Sequence, residues 1–134
     1  MKKILITGSE GFIGSHLVEK LILKGYKVKC LILYNSFNEI GNLSYLNKSI
    51  LNKADLIFGD VRDNNLVIDI SKNCSAIINL AALIGIPYSY KAARSYIDVN
   101  IIVIGLIMTF MILLPINSST SPMITLLVLE WLWE

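Results

Sequence analysis

Apolar and polar positions alternate along the first hundred residues with two different periods. Lys2 to Thr7 is a short β-branched apolar run that stops at Gly8, the mark of a buried strand. From 12 to 24 the period becomes helical: Ile13, Leu17 and Leu21 fall on one face, and Val18 and Ile22 widen the stripe. Lys20 and Lys24 suit the negative end of that helix, and Gly25 stops it. Lys27 to Leu33 alternates and then turns wholly apolar, which predicts a second strand. Strand, turn, helix and strand in this order make one unit with two parallel strands and a right-handed crossover.

The pattern continues in the same sense. Residues 34 to 53 are rich in Asn, Ser and Leu and predict a loop followed by a short helix. Leu56 to Gly59 is a third strand, Asn65 to Lys72 a short helix, and Ser75 to Ala82 a fourth strand. The fourth is apolar enough to be central in a sheet covered on both sides. Leu83 to Tyr90, with Gly85 and Pro87, predicts a loop, and a helix begins near Ala92 and runs through Asn100. The fold class that follows is α/β: a Rossmann-type doubly wound parallel sheet in a three-layer α/β/α arrangement, truncated relative to a full enzyme of that class. The 134 residues suffice for one core and not for a nucleotide domain plus a substrate domain.

Composition narrows the partners. With 54% hydrophobic residues the chain is no disordered tail, and a net charge of +2 with scattered lysines gives nucleic acid no basic block to grip. Cys30 and Cys74 are the two cysteines; they form no Cys-x-x-Cys pair, so there is no metal signature. His16 is the one histidine and has no partner motif. Only Ile4-Leu5-Ile6 separates Lys2-Lys3 from Thr7-Gly8, too short for the apolar core of a secretory signal; this predicts a cytoplasmic chain.

The candidate chemistry lies in the turn Gly8-Ser9-Glu10-Gly11-Phe12-Ile13-Gly14. A pyrophosphate requires close backbone N–H groups and the positive end of a helix. Gly8 permits the tight turn out of the strand, Gly11 lets phosphates approach the main chain, and Gly14 lets the helix pack on the sheet. The turn sits inside a strand–helix–strand unit, the context such a motif needs. Its residues Gly8, Glu10, Gly11, Phe12, Ile13 and Gly14 are therefore candidate cofactor contacts. At the end of the second strand, where an acidic side chain commonly holds the adenosine ribose, stand Tyr34-Asn35-Ser36. Asn35 and Ser36 are candidates for ribose hydroxyls. The missing cation points to NAD, and NADP stays open. Asp60, followed by Val61, is a candidate for the adenine amino group, or else a loop carboxylate capping its own turn. Leu80-Ala81-Ala82 ends the fourth strand with small residues against which the nicotinamide side can lie.

Four segments in order, Thr7 to Leu17, Gly59-Asp60-Val61-Arg62-Asp63, Leu80-Ala81-Ala82 and Asp98-Val99-Asn100, resemble the extended short-chain dehydrogenase/reductase superfamily. Within it the likeness is to the NAD-dependent epimerase/dehydratase family, which acts on nucleotide sugars. Tyr34 to Asn38 and Leu80 to Tyr90 look most like its 4,6-dehydratases. The resemblance implies hydride transfer from the sugar's C4 to the nicotinamide, with a Tyr-x-x-x-Lys pair as acid/base and cofactor anchor. That pair is absent. Four residues beyond the six tyrosines stand Cys30, Asn38, Ser49, Ala92, Arg94 and Asn100. The resemblance therefore implies an NAD(P)-binding N-terminal piece, inactive alone, with no catalytic residue here and a nucleotide sugar as substrate only in a full-length protein.

The division expected is residues 1–102 as the NAD(P)-binding half and 103–134 as an apolar tail that departs from the pattern. Residues 1–100 hold 20 of the 22 charged side chains, and none of the basic ones follows Arg94. Ile101 to Leu114 is uncharged, Pro115 ends it, and Met123 to Leu129 is a second apolar run. Fourteen residues are short for a membrane span. The tail reads instead as a buried helix with a last strand near Met123 to Leu129, or as sequence whose native pattern is lost through a frameshift or truncation. Its exposed surface would favour self-association. Two other readings stand beside the main one: a non-catalytic regulatory module with a partner on the tail, and a membrane-tethered protein.

Overall fold

A computed structural model of the chain describes residues 2–105. The expected tail helix beyond 105 and the strand near Met123 to Leu129 lie outside the described residues. Four parallel strands form one sheet in the order β3-β2-β1-β4: β1 (Lys3–Thr7), β2 (Lys27–Leu33), β3 (Asp55–Gly59) and β4 (Ala76–Asn79). Between them lie α1 (Phe12–Leu23), a 3-10 turn (Gly41–Tyr45), α2 (Lys48–Leu51) and α3 (Asn64–Ser71). After β4 come α4 (Ile86–Ser89), α5 (Ala93–Ile97) and a π-helical turn (Asp98–Ile102) that continues α5.

Side chains of each strand point alternately to two apolar layers. Ile4 and Ile6 of β1, with Val28, Cys30 and Ile32 of β2, pack against Val18 and Ile22 of α1. Leu5, Leu31 and Ile77 point the other way, against Val67 and Ile70 of α3 and Val99 of the π turn. Two helical layers thus enclose one sheet, the doubly wound architecture the alternation predicts. Lys24 closes α1 and Gly25 follows at φ +85°, the left-handed stop expected. Asp63 caps α3 by accepting the N–H groups of Asn65 and Leu66, both at 3.1 Å.

Three expectations are corrected. The buried face of α1 runs through Gly14, Ser15, Val18 and Ile22, while Ile13 is 53% exposed. Gly14 must face the turn before it, and that rotates Ile13 outward. The fourth strand stops at Asn79 rather than Ala82. Its register pairs Thr7 with Asn79, and beyond Thr7 the neighbouring strand has turned away at Gly8, φ +64°. Among the described residues β4 pairs with β1 alone. Ile77 packs on one layer and Ala76 and Ile78 on the other, so both of its faces are covered, as its apolarity predicts. The segment expected as a plain loop after it contains the short helix α4, with Pro87 in its first turn.

Candidate functional site

The strand registers bring Thr7, Leu31 and Asn79 level with one another. The strand order reverses between β1 and β4, and such a switch point opens a crevice at the carboxyl ends of the strands. A cleft of about 400 Å³ lies there. The glycine turn supplies Gly8, Glu10 and Gly11 to its wall, the end of β3 supplies Gly59 to Arg62, and the segment after β4 supplies Leu80 to Leu83. Tyr88, Ser95 and Val99 close the far side. Sequence candidates from three separate segments therefore share one cavity.

The geometry explains the glycines. A Cβ on Gly8 would lie 2.8 Å from the Ala81 nitrogen, because the chain after β4 crosses directly over the turn. A Cβ on Gly14 would lie 2.3 Å from the Gly8 carbonyl oxygen. On Gly11 the nearest atom, the same oxygen, would be at 3.3 Å, a tight contact but far milder than those at Gly8 and Gly14, and Gly11 borders the cleft. No side chain caps α1. The amide N–H groups of Phe12, Ile13 and Gly14 in its first turn are left for water or an anion. Phe12 and Ile13 belong to the site through these amides alone, since their side chains are exposed and do not line the cleft.

Thr7 holds this crossing in place. Its buried hydroxyl donates to the Asn79 side-chain oxygen and accepts the N–H groups of Leu80 and Ala81, both at 3.2 Å. Asn100 does the same from the other side. Its amide accepts the Leu83 N–H and donates to the Leu83 carbonyl, each at 2.9 Å. Neither role is visible in local pattern, although a threonine immediately before the glycine turn is a signal that could have been weighed.

Asn35 and Ser36 are not brought to the cleft. Asn35 uses both ends of its amide within its own turn: its oxygen accepts from the Phe37 and Glu39 N–H groups, and its nitrogen donates to the Leu33 and Glu39 carbonyls. Ser36 is exposed. Asp60 lines the cleft and also caps its own loop. It accepts the Arg62 N–H at 2.8 Å and the Arg62 Nε at 2.9 Å, and pairs with the guanidinium terminus. The hydrogen bond from the Arg62 side chain, with a smaller contribution from the backbone N–H, lowers the Asp60 pKa against a raising effect of burial.

That depression sets a pH dependence. The carboxylate is preferred in the folded state, so its stabilising effect is complete above the unfolded pKa, about 3.9, and is lost as pH falls towards the lowered folded value. We expect the melting-temperature gap between wild type and Asp60→Asn to be constant from pH 5 to 8 and to shrink below about pH 4. A pH series of thermal melts checks this.

The cysteines offer no nucleophile. Burial pushes the Cys30 thiol up to about 12 and raises Cys74 as well. Among the described residues no three His, Cys, Asp or Glu side chains gather as metal ligands, and no helix is long and apolar enough to cross a membrane.

Comparison with known proteins agrees with this geometry. The family model for GDP-mannose 4,6-dehydratase matches residues 5–120, running past residue 102 into the uncharged stretch. Protein CapI of Staphylococcus aureus is 38% identical over 104 residues, which cover 75% of this chain and 31% of the relative. A UDP-glucose 4-epimerase of Methanocaldococcus jannaschii, so described putatively, is 37% identical over 101 residues, 74% of this chain and 30% of its own. Among solved structures, the Thermotoga maritima UDP-glucose 4-epimerase with UDP-glucose superposes with a TM-score of 0.68 at 28% identity, over 82% of this chain and 34% of its own. MoeE5 in complex with UDP-glucose and NAD gives 0.62 at 30% identity, over 81% and 31%. The chain thus spans about a third of the length of the relatives it matches. The family model spans most of the chain and both sequence relatives exceed 30% identity, so the chain belongs to the GDP-mannose 4,6-dehydratase family of nucleotide-sugar epimerases and dehydratases.

Proposed function

We propose that the chain binds NAD in the cleft at the carboxyl ends of its strands and performs no sugar chemistry by itself. The observation that carries this is the cradle formed by Gly8, Gly11 and Gly14 beneath the crossing of Leu80 and Ala81, in front of an uncapped helix. In this reading the free amides of Phe12, Ile13 and Gly14 hold the pyrophosphate. Asp60 and Val61 border the adenine, and Leu80, Ala81 and Ala82 border the nicotinamide side. Bound NAD would supply a hydride acceptor. The MoeE5 complex, with NAD and UDP-glucose together, supports the choice of cofactor and of a nucleoside-diphosphate sugar as the substrate class of the longer proteins. The absence of any Tyr-x-x-x-Lys in the 134 residues supports the lack of turnover, and with it the reading of the chain as a cofactor-binding N-terminal piece.

The test is a calorimetric titration with NAD. Gly11→Ala asks the Gly8 carbonyl to give by only a few tenths of an ångström, which a thermal melt run alongside the titration monitors, yet it places a methyl group where phosphate oxygens must approach. We expect NAD affinity to fall about tenfold or more, the loss of one or two charge-assisted contacts. Unchanged affinity would sink the assignment. Conversion of UDP-glucose by the purified chain with NAD would refute the claim of inactivity.

A further inference from the structure

Glu10 occupies an unusual place. It belongs to the glycine turn, yet its Oε1 accepts the N–H of Leu33 at 3.0 Å. Leu33 is the last residue of β2. A carboxylate therefore stands at the carboxyl end of the second strand although the sequence there, Tyr34-Asn35-Ser36, contains none. It is braced from behind. The Glu10 carbonyl accepts the Asn42 N–H at 2.9 Å, and a Cβ on Gly41 would lie 3.1 Å from the Glu10 Cβ. Glu10 also borders the cleft. Its second oxygen, Oε2, is closed off from solvent and has no donor, the one buried side-chain polar atom so left among the described residues. None of the ion pairs there involves Glu10. A buried carboxylate oxygen without a donor is unfavourable, and proteins leave few of them. A fixed acceptor at this spot, short of one donor, suits a hydroxyl.

We propose that Glu10 is the residue that accepts the adenosine ribose hydroxyls of the dinucleotide and thereby selects NAD over NADP. This rests on the NAD reading of the cleft. The end of β2 is where a Rossmann sheet meets the adenosine ribose. Because Glu10 lines the cleft, a small turn of its carboxylate brings Oε2 to a ribose hydroxyl there, which supplies the donor it lacks. A 2'-phosphate supplies none and sets further negative charge against the carboxylate, in a half-buried place where repulsion is poorly screened.

The experiment measures dissociation constants for NAD and NADP on the whole chain, as wild type and as Glu10→Gln, with thermal melts of both. The amide oxygen of glutamine still accepts the Leu33 N–H, so the fold is kept while the charge is removed. Wild type should prefer NAD by about tenfold or more, and Glu10→Gln should bring the two constants within about threefold, chiefly by easing the repulsion of NADP. An unchanged ratio in Glu10→Gln, or equal binding of both by wild type, would overturn the proposal and leave Glu10 as a brace for β2. If Gly11→Ala weakens NAD while Glu10→Gln leaves the ratio alone, only this inference falls. If wild type binds neither dinucleotide, the NAD reading falls with it.

Discussion

Gly14→Ala is expected to lower the melting temperature by about 6–12 °C and to abolish NAD binding. Two effects of opposite sign compete. Alanine is the better helix former by about 1 kcal/mol, and Gly14 lies inside α1. Against this, the new Cβ would stand 2.3 Å from the Gly8 carbonyl oxygen and 2.8 Å from the Ser9 Cα, and both are backbone atoms that no rotamer change can move. The helix would have to lift off the turn, and overpacking that forces such backbone shifts costs typically about 1–3 kcal/mol, here the upper end because both clashing atoms are backbone. The clash outweighs the propensity. Since 1 kcal/mol is worth about 3–6 °C for a chain of this size, a thermal melt resolves the effect readily. A melting point equal to or above wild type would show that the turn and helix are less tightly joined than the structure has them. Gly11→Ala is the natural companion, since its Cβ meets the Gly8 carbonyl at 3.3 Å rather than 2.3 Å and should cost the ligand far more than the fold.

The second large effect is expected for Thr7→Val, with a loss of about 2–3 kcal/mol and a weakened cleft. Valine preserves the shape and the β-branched preference of a strand position. It removes the hydroxyl that accepts the Ala81 N–H and donates to Asn79, in a residue with no exposed surface. Leu80 is less affected, because its N–H also reaches the Thr7 carbonyl at 3.2 Å. A half-buried donor and a half-buried acceptor thus lose the hydroxyl they share. The measurable signature is a lower denaturant midpoint together with weaker NAD binding, because Leu80 and Ala81 form one wall of the cleft. Thr7→Ser keeps the hydroxyl and should recover most of both losses. If valine and serine behave alike, the hydroxyl is not what holds the crossing.

These two positions mark the boundary between what was legible in the chain and what was not. Gly14 was assigned its role from spacing alone, because a glycine three residues after Gly11 at the start of a helix has few other uses. The bonding role of Thr7 has no local signature, because its hydroxyl acts on residues 72 to 74 positions away. Asn35 misled in the opposite direction. Its residue type and place at the end of β2 suit a ribose contact, but asparagine binds its own turn more readily than a distant ligand, and all its hydrogen bonds close within four residues.

The sequence by itself determined the alternation of strands and helices, the parallel doubly wound sheet and the glycine turn, because each rests on short-range physics: a period of two or of 3.6, a capping residue, a missing side chain. Only the tertiary structure decided where β4 ends, which face of α1 is buried and which carboxylate stands at the end of β2. Those outcomes depend on contacts between segments far apart in the chain: Gly8 turning away from Asn79, Gly14 pressed on the Gly8 carbonyl, and Glu10 reaching across to Leu33.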